Sequence, residues 1–153
     1  MPARGEQAIE KDLALTKAAF VRGQLVTFRV QSTGSTEQPK LTYTLFSEQP
    51  LTPEVSDAAA DRIRFYLSLD DDLQPFYELG RDDTYFQPVI DKLYGYHQVK
   101  FSTPFENASW AVLTQRNQMA NAQRMKTALV ERFGGSITRV FSINSDADLC
   151  RSS

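Results

Sequence analysis

Apolar and polar positions alternate along the first half of the chain and fall into a helical spacing along the second. A short strand is read at residues 13–15, within a mixed, polar N-terminal stretch. Residues 24–30, Gln-Leu-Val-Thr-Phe-Arg-Val, alternate cleanly from Val26 to Val30, the mark of a half-buried strand. Residues 31–40 are rich in Ser, Thr and Gly and include Pro39, so they predict a loop. Residues 41–46, Leu-Thr-Tyr-Thr-Leu-Phe, alternate again in β-favouring residues, and the two runs predict an antiparallel hairpin with an overlong turn. Residues 50–61 read as a connector or short helix. Residues 62–69 place Ile63, Phe65, Leu67 and Leu69 on one face and predict a further strand.

The period changes at Asp70. Leu73, Phe76, Tyr77 and Leu79 are spaced like a short helix ending at Gly80. Residues 85–93 predict a second helix with Phe86, Val89, Ile90 and Leu93 on one face and Gly95 beyond its end. Thr103-Pro104-Phe105-Glu106 is a capping-box sequence, with proline where its missing N–H costs nothing. The helix it opens, residues 105–114, is apolar almost all round and suits the middle of a bundle. Residues 115–118 are a polar break. A further helix over 119–133 carries Ala122, Met125, Leu129, Val130 and Phe133 as a stripe and closes at Gly134-Gly135. Residues 136–153 show no sustained periodicity and read as an irregular tail. Strands followed by helices predict an α+β class, with an antiparallel β lobe over 1–69 and a helical lobe over 70–135.

Composition narrows the chemistry. The chain has 153 residues, 41% hydrophobic and 24% charged, with a formal net charge of −2. That balance suits a globular domain and provides no global basic excess for phosphate binding, although a local basic face is compatible with it. There is no run of about 18 apolar residues and no basic-then-apolar leader at the N-terminus, so the expected compartment is the cytoplasm and no membrane partner is expected. With one cysteine, Cys150, and one histidine, His97, neither a zinc set nor a cofactor is expected. Cys150 reads as a free thiol and His97 as a loop or capping residue.

The stretch from Thr103 to Gly135 also carries a family resemblance. Pro104-Phe105-Glu106, the apolar run from Trp110 to Gln115, Ala120, and Phe133-Gly134 resemble, in order and spacing, a segment of helix-hairpin-helix DNA glycosylases of the 3-methyladenine and 8-oxoguanine types. Upstream, Asp70-Asp71-Asp72-Leu73-Gln74-Pro75-Phe76-Tyr77 and Leu93-Tyr94-Gly95-Tyr96-His97 are similar to that family's lead-in elements. The resemblance covers most of residues 24–135 and implies a small antiparallel sheet followed by the first helices of an all-α glycosylase domain.

What the resemblance implies is base-excision repair of double-stranded DNA: a damaged base is flipped out and cleaved from its sugar. The residues matching the family's DNA-facing loop are Gln115, Arg116 and Asn117, where some relatives place an aliphatic wedge in the position of Arg116. The family's glycine-rich hairpin and catalytic aspartate would follow Gly135, and residues 136–153 contain neither. The expectation is therefore a glycosylase-like chain with no catalytic residue of its own, inactive alone; a non-enzymatic α+β DNA-binding or interaction module is the alternative.

Several residues keep two readings. Gln115, Arg116 and Asn117 are a polar inter-helix loop or a DNA contact. Tyr77, Phe86, Tyr94 and Tyr96 are core filler or a stacking surface for bases. Arg116, Arg124, Lys126 and Arg132 are ordinary solvated charges or a basic face. Asp70, Asp71 and Asp72 read as a solvated turn rather than an acid–base pair, and Asp146 and Asp148 as tail carboxylates.

Overall fold

The computed structural model describes residues 8–9, 14–35, 38, 40–96, 98–135 and 141–147. His97, Asp148 and Cys150 lie outside the described residues. A five-stranded antiparallel sheet runs in chain order, β1 (Ala8–Ile9), β2 (Leu15–Val21), β3 (Gln24–Ser32), β4 (Leu41–Ser47) and β5 (Phe141–Ala147). The helices are α1 (Pro53–Leu67), α2 (Gln74–Gly80), α3 (Gln87–Leu93), α4 (Pro104–Thr114) and α5 (Met119–Phe133). The α+β class expected from the pattern is the one observed.

The sheet buries one face. Lys17, Ala19 and Val21 on β2, Val26, Phe28 and Val30 on β3, and Tyr43, Leu45 and Ser47 on β4 alternate inward. The hairpin of β3 and β4 pairs Val30 with Tyr43 and Phe28 with Leu45. Of the short strand expected at 13–15, Leu15 opens β2, Ala14 precedes it and Leu13 lies outside the described residues. β2 joins β3 through Arg22 and Gly23, whose φ angles of 51° and 80° form the tight two-residue turn that matches the natural strand twist.

The strand expected over residues 62–69 is instead the end of α1. Thr52 caps this helix, its hydroxyl accepting from the Val55 N–H, and Pro53 follows at the first helical position. Val55, Ala59, Ile63 and Tyr66 fall at helical spacing and are buried against the sheet. Phe65, which a strand would have turned inward beside Ile63, is half exposed. The alternation was a coincidence of one short window, and the open face of the sheet selected the helix. α1 ends at Ser68, with φ 58° and a bond from the Leu69 N–H to the Arg64 carbonyl, the left-handed stop common at helix ends.

The expected irregular tail is corrected over residues 141–147, which form β5 and pair along β4. Its polar half, Asn-Ser-Asp, gives no strand pattern; the main-chain edge of β4 supplies the pairing.

The core cluster belongs to the sheet and α1. Beyond residue 70 the buried apolar side chains among the described residues are Ile90 and Ala122. α4 buries none of its residues, with Phe105 and Val112 largely exposed, although its composition suits a bundle centre. Among the described residues α5 is the helix that packs on it. Ala122 of the expected stripe is fully buried, while Ala120, a position matched in the family resemblance, is exposed.

Candidate nucleic-acid interface

α4 is anchored at one end and carries a sharp corner at the other. At its N-terminus the Thr103 hydroxyl accepts from the Glu106 N–H at 3.0 Å. The Glu106 carboxylate turns back to accept from the Ser102 N–H at 3.1 Å, one residue upstream of the position usual for a capping box. Its other oxygen accepts from the ammonium of Lys17 on β2 at 2.7 Å. Lys17 is buried, with its charge 5.0 Å from the Tyr66 ring centroid on α1. The Arg62 guanidinium donates to the Ser102 carbonyl, and the Lys100 N–H to the Tyr66 carbonyl at 2.8 Å. Sheet, α1 and α4 therefore meet at one charged node.

Electrostatics at this node follow from burial and charge. Burial pushes the Glu106 carboxyl up, but the Lys17 hydrogen bond and charge, the Ser102 N–H and the more distant Lys126 outweigh it, so the group sits below its ordinary value. The Tyr66 phenol is raised, first by burial and then by the Glu106 charge.

With 11 residues, α4 runs about 16 Å to the Gln115-Arg116-Asn117 corner. Gln115 and Arg116 are exposed at its tip. Arg116 has φ 48°, a left-handed conformation that costs a non-glycine residue about 1 kcal/mol. Asn117 turns inward: its amide nitrogen lies 3.2 Å from the Leu113 carbonyl and 3.2 Å from the Met125 sulfur. Of the three expected contact residues, two face solvent and one holds the corner. α5 then begins with Gln118 at its cap position and no side-chain cap hydrogen bond.

The basic residues disperse. Arg116 and Arg124 are exposed, Lys126 reaches back over the Trp110 ring at 5.7 Å, and Arg132 lies over Phe133 at 5.8 Å. The aromatic residues form a separate group around α2 and α3. Tyr77 and Tyr94 lie 5.2 Å apart, Phe76 and Phe86 meet edge to face at 5.7 Å, and the Tyr77 hydroxyl accepts from the Gly95 N–H. Tyr96 is exposed near Gln98. The acidic run is consumed in turns. Asp70 pairs with Arg64, Asp71 with Lys100 at 2.7 Å, and Asp72 accepts from the Gln74 N–H. Asp146 sits on β5 opposite Thr42.

Lys17, Tyr66 and Lys100 escaped the sequence reading. A signal existed for Lys17, since a lysine two positions before Ala19 and four before Val21 shares the inward face of a strand. Among the described residues no group of three or more His, Cys, Asp or Glu side chains could hold a metal ion, and no helix is long and apolar enough to cross a membrane.

No protein-family model matches the chain. Over 75 residues, 49% of its length, it is 37% identical to a DNA-3-methyladenine glycosylase of Bacillus subtilis (strain 168). The match spans 25% of that relative's length.

Proposed function

We propose that this chain is a base-excision repair protein of the DNA-3-methyladenine glycosylase type, built on a helix-hairpin-helix scaffold, and that it engages double-stranded DNA in the cytoplasm through the α4–α5 corner. The likeness to a glycosylase across 49% of the chain carries the reading. The corner supports it. A flipped base leaves a hole in the duplex that something must fill. Gln115 and Arg116 are exposed together at the tip of a capped helix, and a guanidinium can stack on or hydrogen-bond to an orphaned base. Asn117 acts from within, fixing the corner through the Leu113 carbonyl. In this reading residues 1–69 form the supporting lobe and residues 70–135 the DNA-facing one.

The same reading assigns this chain binding without excision. Glu106, the carboxylate that lines the cavities beside α4, is engaged by Lys17 and the Ser102 amide and is not free to act as a base.

Fluorescence anisotropy with a labelled duplex tests the proposal. Tighter binding is expected to a duplex carrying an abasic-site analogue than to an intact one. Gln115→Ala and Arg116→Ala are expected to lower affinity for the abasic duplex about tenfold, the scale of one lost stacking contact. Equal affinity for the two duplexes, or variants that bind like the parent, would overturn the assignment of the corner. Single-turnover release of a methylated base by this chain alone would overturn the claim of inactivity.

A further inference from the structure

Two cavities adjoin along α4, the apolar one running along the helix as far as Leu113 and the polar one at its anchored end. The first, about 180 Å³, is walled by Phe105, Trp110, Leu113, Leu129 and Val130. The second, about 200 Å³, is walled by Lys17, Tyr66, Gln98, Val99 and Lys100. Phe101, Glu106 and Lys126 line both, so the apolar space opens directly on the polar one.

The lining charges are unequal, three ammonium groups against the single carboxylate of Glu106. Lys17 is committed to that carboxylate and Lys100 reaches Asp71. Lys126 stands at the boundary, its charge over the Trp110 ring. An apolar pocket with a few convergent polar groups is the usual form of a small-molecule site.

We propose that the paired cavities bind a small aromatic carboxylate, its ring against Trp110 in the apolar cavity and its carboxylate at Lys126 and Lys100. Size and charge argue for this class. An apolar cavity of about 150 Å³ holds a benzene-sized molecule, so one phenyl ring fits the first space. A carboxylate gains charge-assisted hydrogen bonds from the lysines. A nucleobase would bring several polar ring edges into a wall whose polar members are Ser109, Lys126 and the already engaged Glu106, too few to pair them all. A bare inorganic anion would leave the apolar space unfilled. The proposal does not rest on the DNA reading: its charged end lies at the anchored end of α4, while the apolar wall reaches Leu113, whose carbonyl the corner residue Asn117 contacts.

Trp110 is the only tryptophan of the chain, so intrinsic fluorescence reports on the apolar wall directly. The probe is 3-phenylpropionate, with uncharged 3-phenylpropanamide as its control. A saturable change in Trp110 emission is expected with the acid, at an affinity at least about tenfold above the amide, the worth of one charge-assisted contact. Lys126→Met, which keeps most of the apolar stem, is expected to remove that preference, so that acid and amide bind the variant with equal affinity. Equal responses to acid and amide, or no saturable response to the acid, would overturn the proposal. Retained preference in a folded Lys126→Met protein would do the same. If that variant does not fold by circular dichroism, the acid–amide comparison on the parent chain and on Lys100→Met decides.

Discussion

Lys17 and Glu106 stand 89 positions apart in the chain and meet at 2.7 Å, with the lysine side chain 8% exposed and the glutamate 24%. The pair ties the inner face of the sheet to the first turn of α4. Removing one partner of a buried pair leaves the other charge uncompensated, and that penalty exceeds the worth of the bond itself. Lys17→Met is expected to lower stability by about 2 kcal/mol, below the usual cost for a fully buried pair because Glu106 keeps some solvent. Urea denaturation measures it. The double variant Lys17→Met/Glu106→Gln should recover part of the loss, and a double variant no better than the single one would contradict this account.

The same pair sets a pH dependence. The Glu106 carboxyl lies below its ordinary value of 4.5 in the folded protein. A depressed carboxyl contributes stability that is present above the unfolded value and is lost as pH falls through the folded one. The urea midpoint is therefore expected to drop as pH falls through 4.5 and below, more steeply in the parent than in Glu106→Gln. Identical slopes for the two proteins would remove Glu106 from the explanation.

Gly80 closes α2 against α3. A Cβ there would fall inside the contact distance of the Ile90 Cδ1 and 3.1 Å from the Phe86 Cδ1. Ile90 is the buried anchor of α3, so it has little room to retreat. Gly80→Ala is expected to cost about 1–2 kcal/mol by overpacking, even though alanine is the better helix former. A thermal midpoint equal to or above the parent's would show that the two short helices can part without penalty.

Arg116 offers a separation of stability from binding. Its left-handed backbone suits glycine better than arginine, while glycine adds entropy to the unfolded chain. Arg116→Gly is expected to leave stability unchanged or raise it by about 0.5 kcal/mol. Affinity for abasic duplex should nevertheless fall about tenfold with the guanidinium gone. A variant that loses both stability and affinity would mean the side chain supports the corner instead of contacting DNA.

Much of this architecture was legible locally. The hairpin of β3 and β4, the extent of α4 and α5, and the Thr103 and Glu106 cap all rest on neighbours a few positions apart. Over the end of α1, Ile63, Phe65, Leu67 and Leu69 satisfy a strand pattern within one short window. The Thr52 cap, Pro53 and the inward series Val55, Ala59, Ile63 and Tyr66 outweigh that pattern once the sheet presents a face to cover. β5 is the opposite case, since its polar residues carry no pattern and main-chain pairing with β4 makes the strand.

The candidate site divides in the same way. Gln115, Arg116 and Asn117 were visible as a polar break between two helices, because spacing within α4 and α5 defines such a corner. That Asn117 turns inward while Gln115 and Arg116 face outward was settled by packing against Leu113 and Met125. The inward face of Lys17 and the cap at Glu106 are each local features, but their meeting, and the cavities beside it, left no trace in the local pattern. Capping, alternation and helical period are interactions within a turn or two of chain, and a sequence records them directly. A charge pair across 89 positions exists only after sheet and helix have docked, and its energy comes from the burial that docking creates.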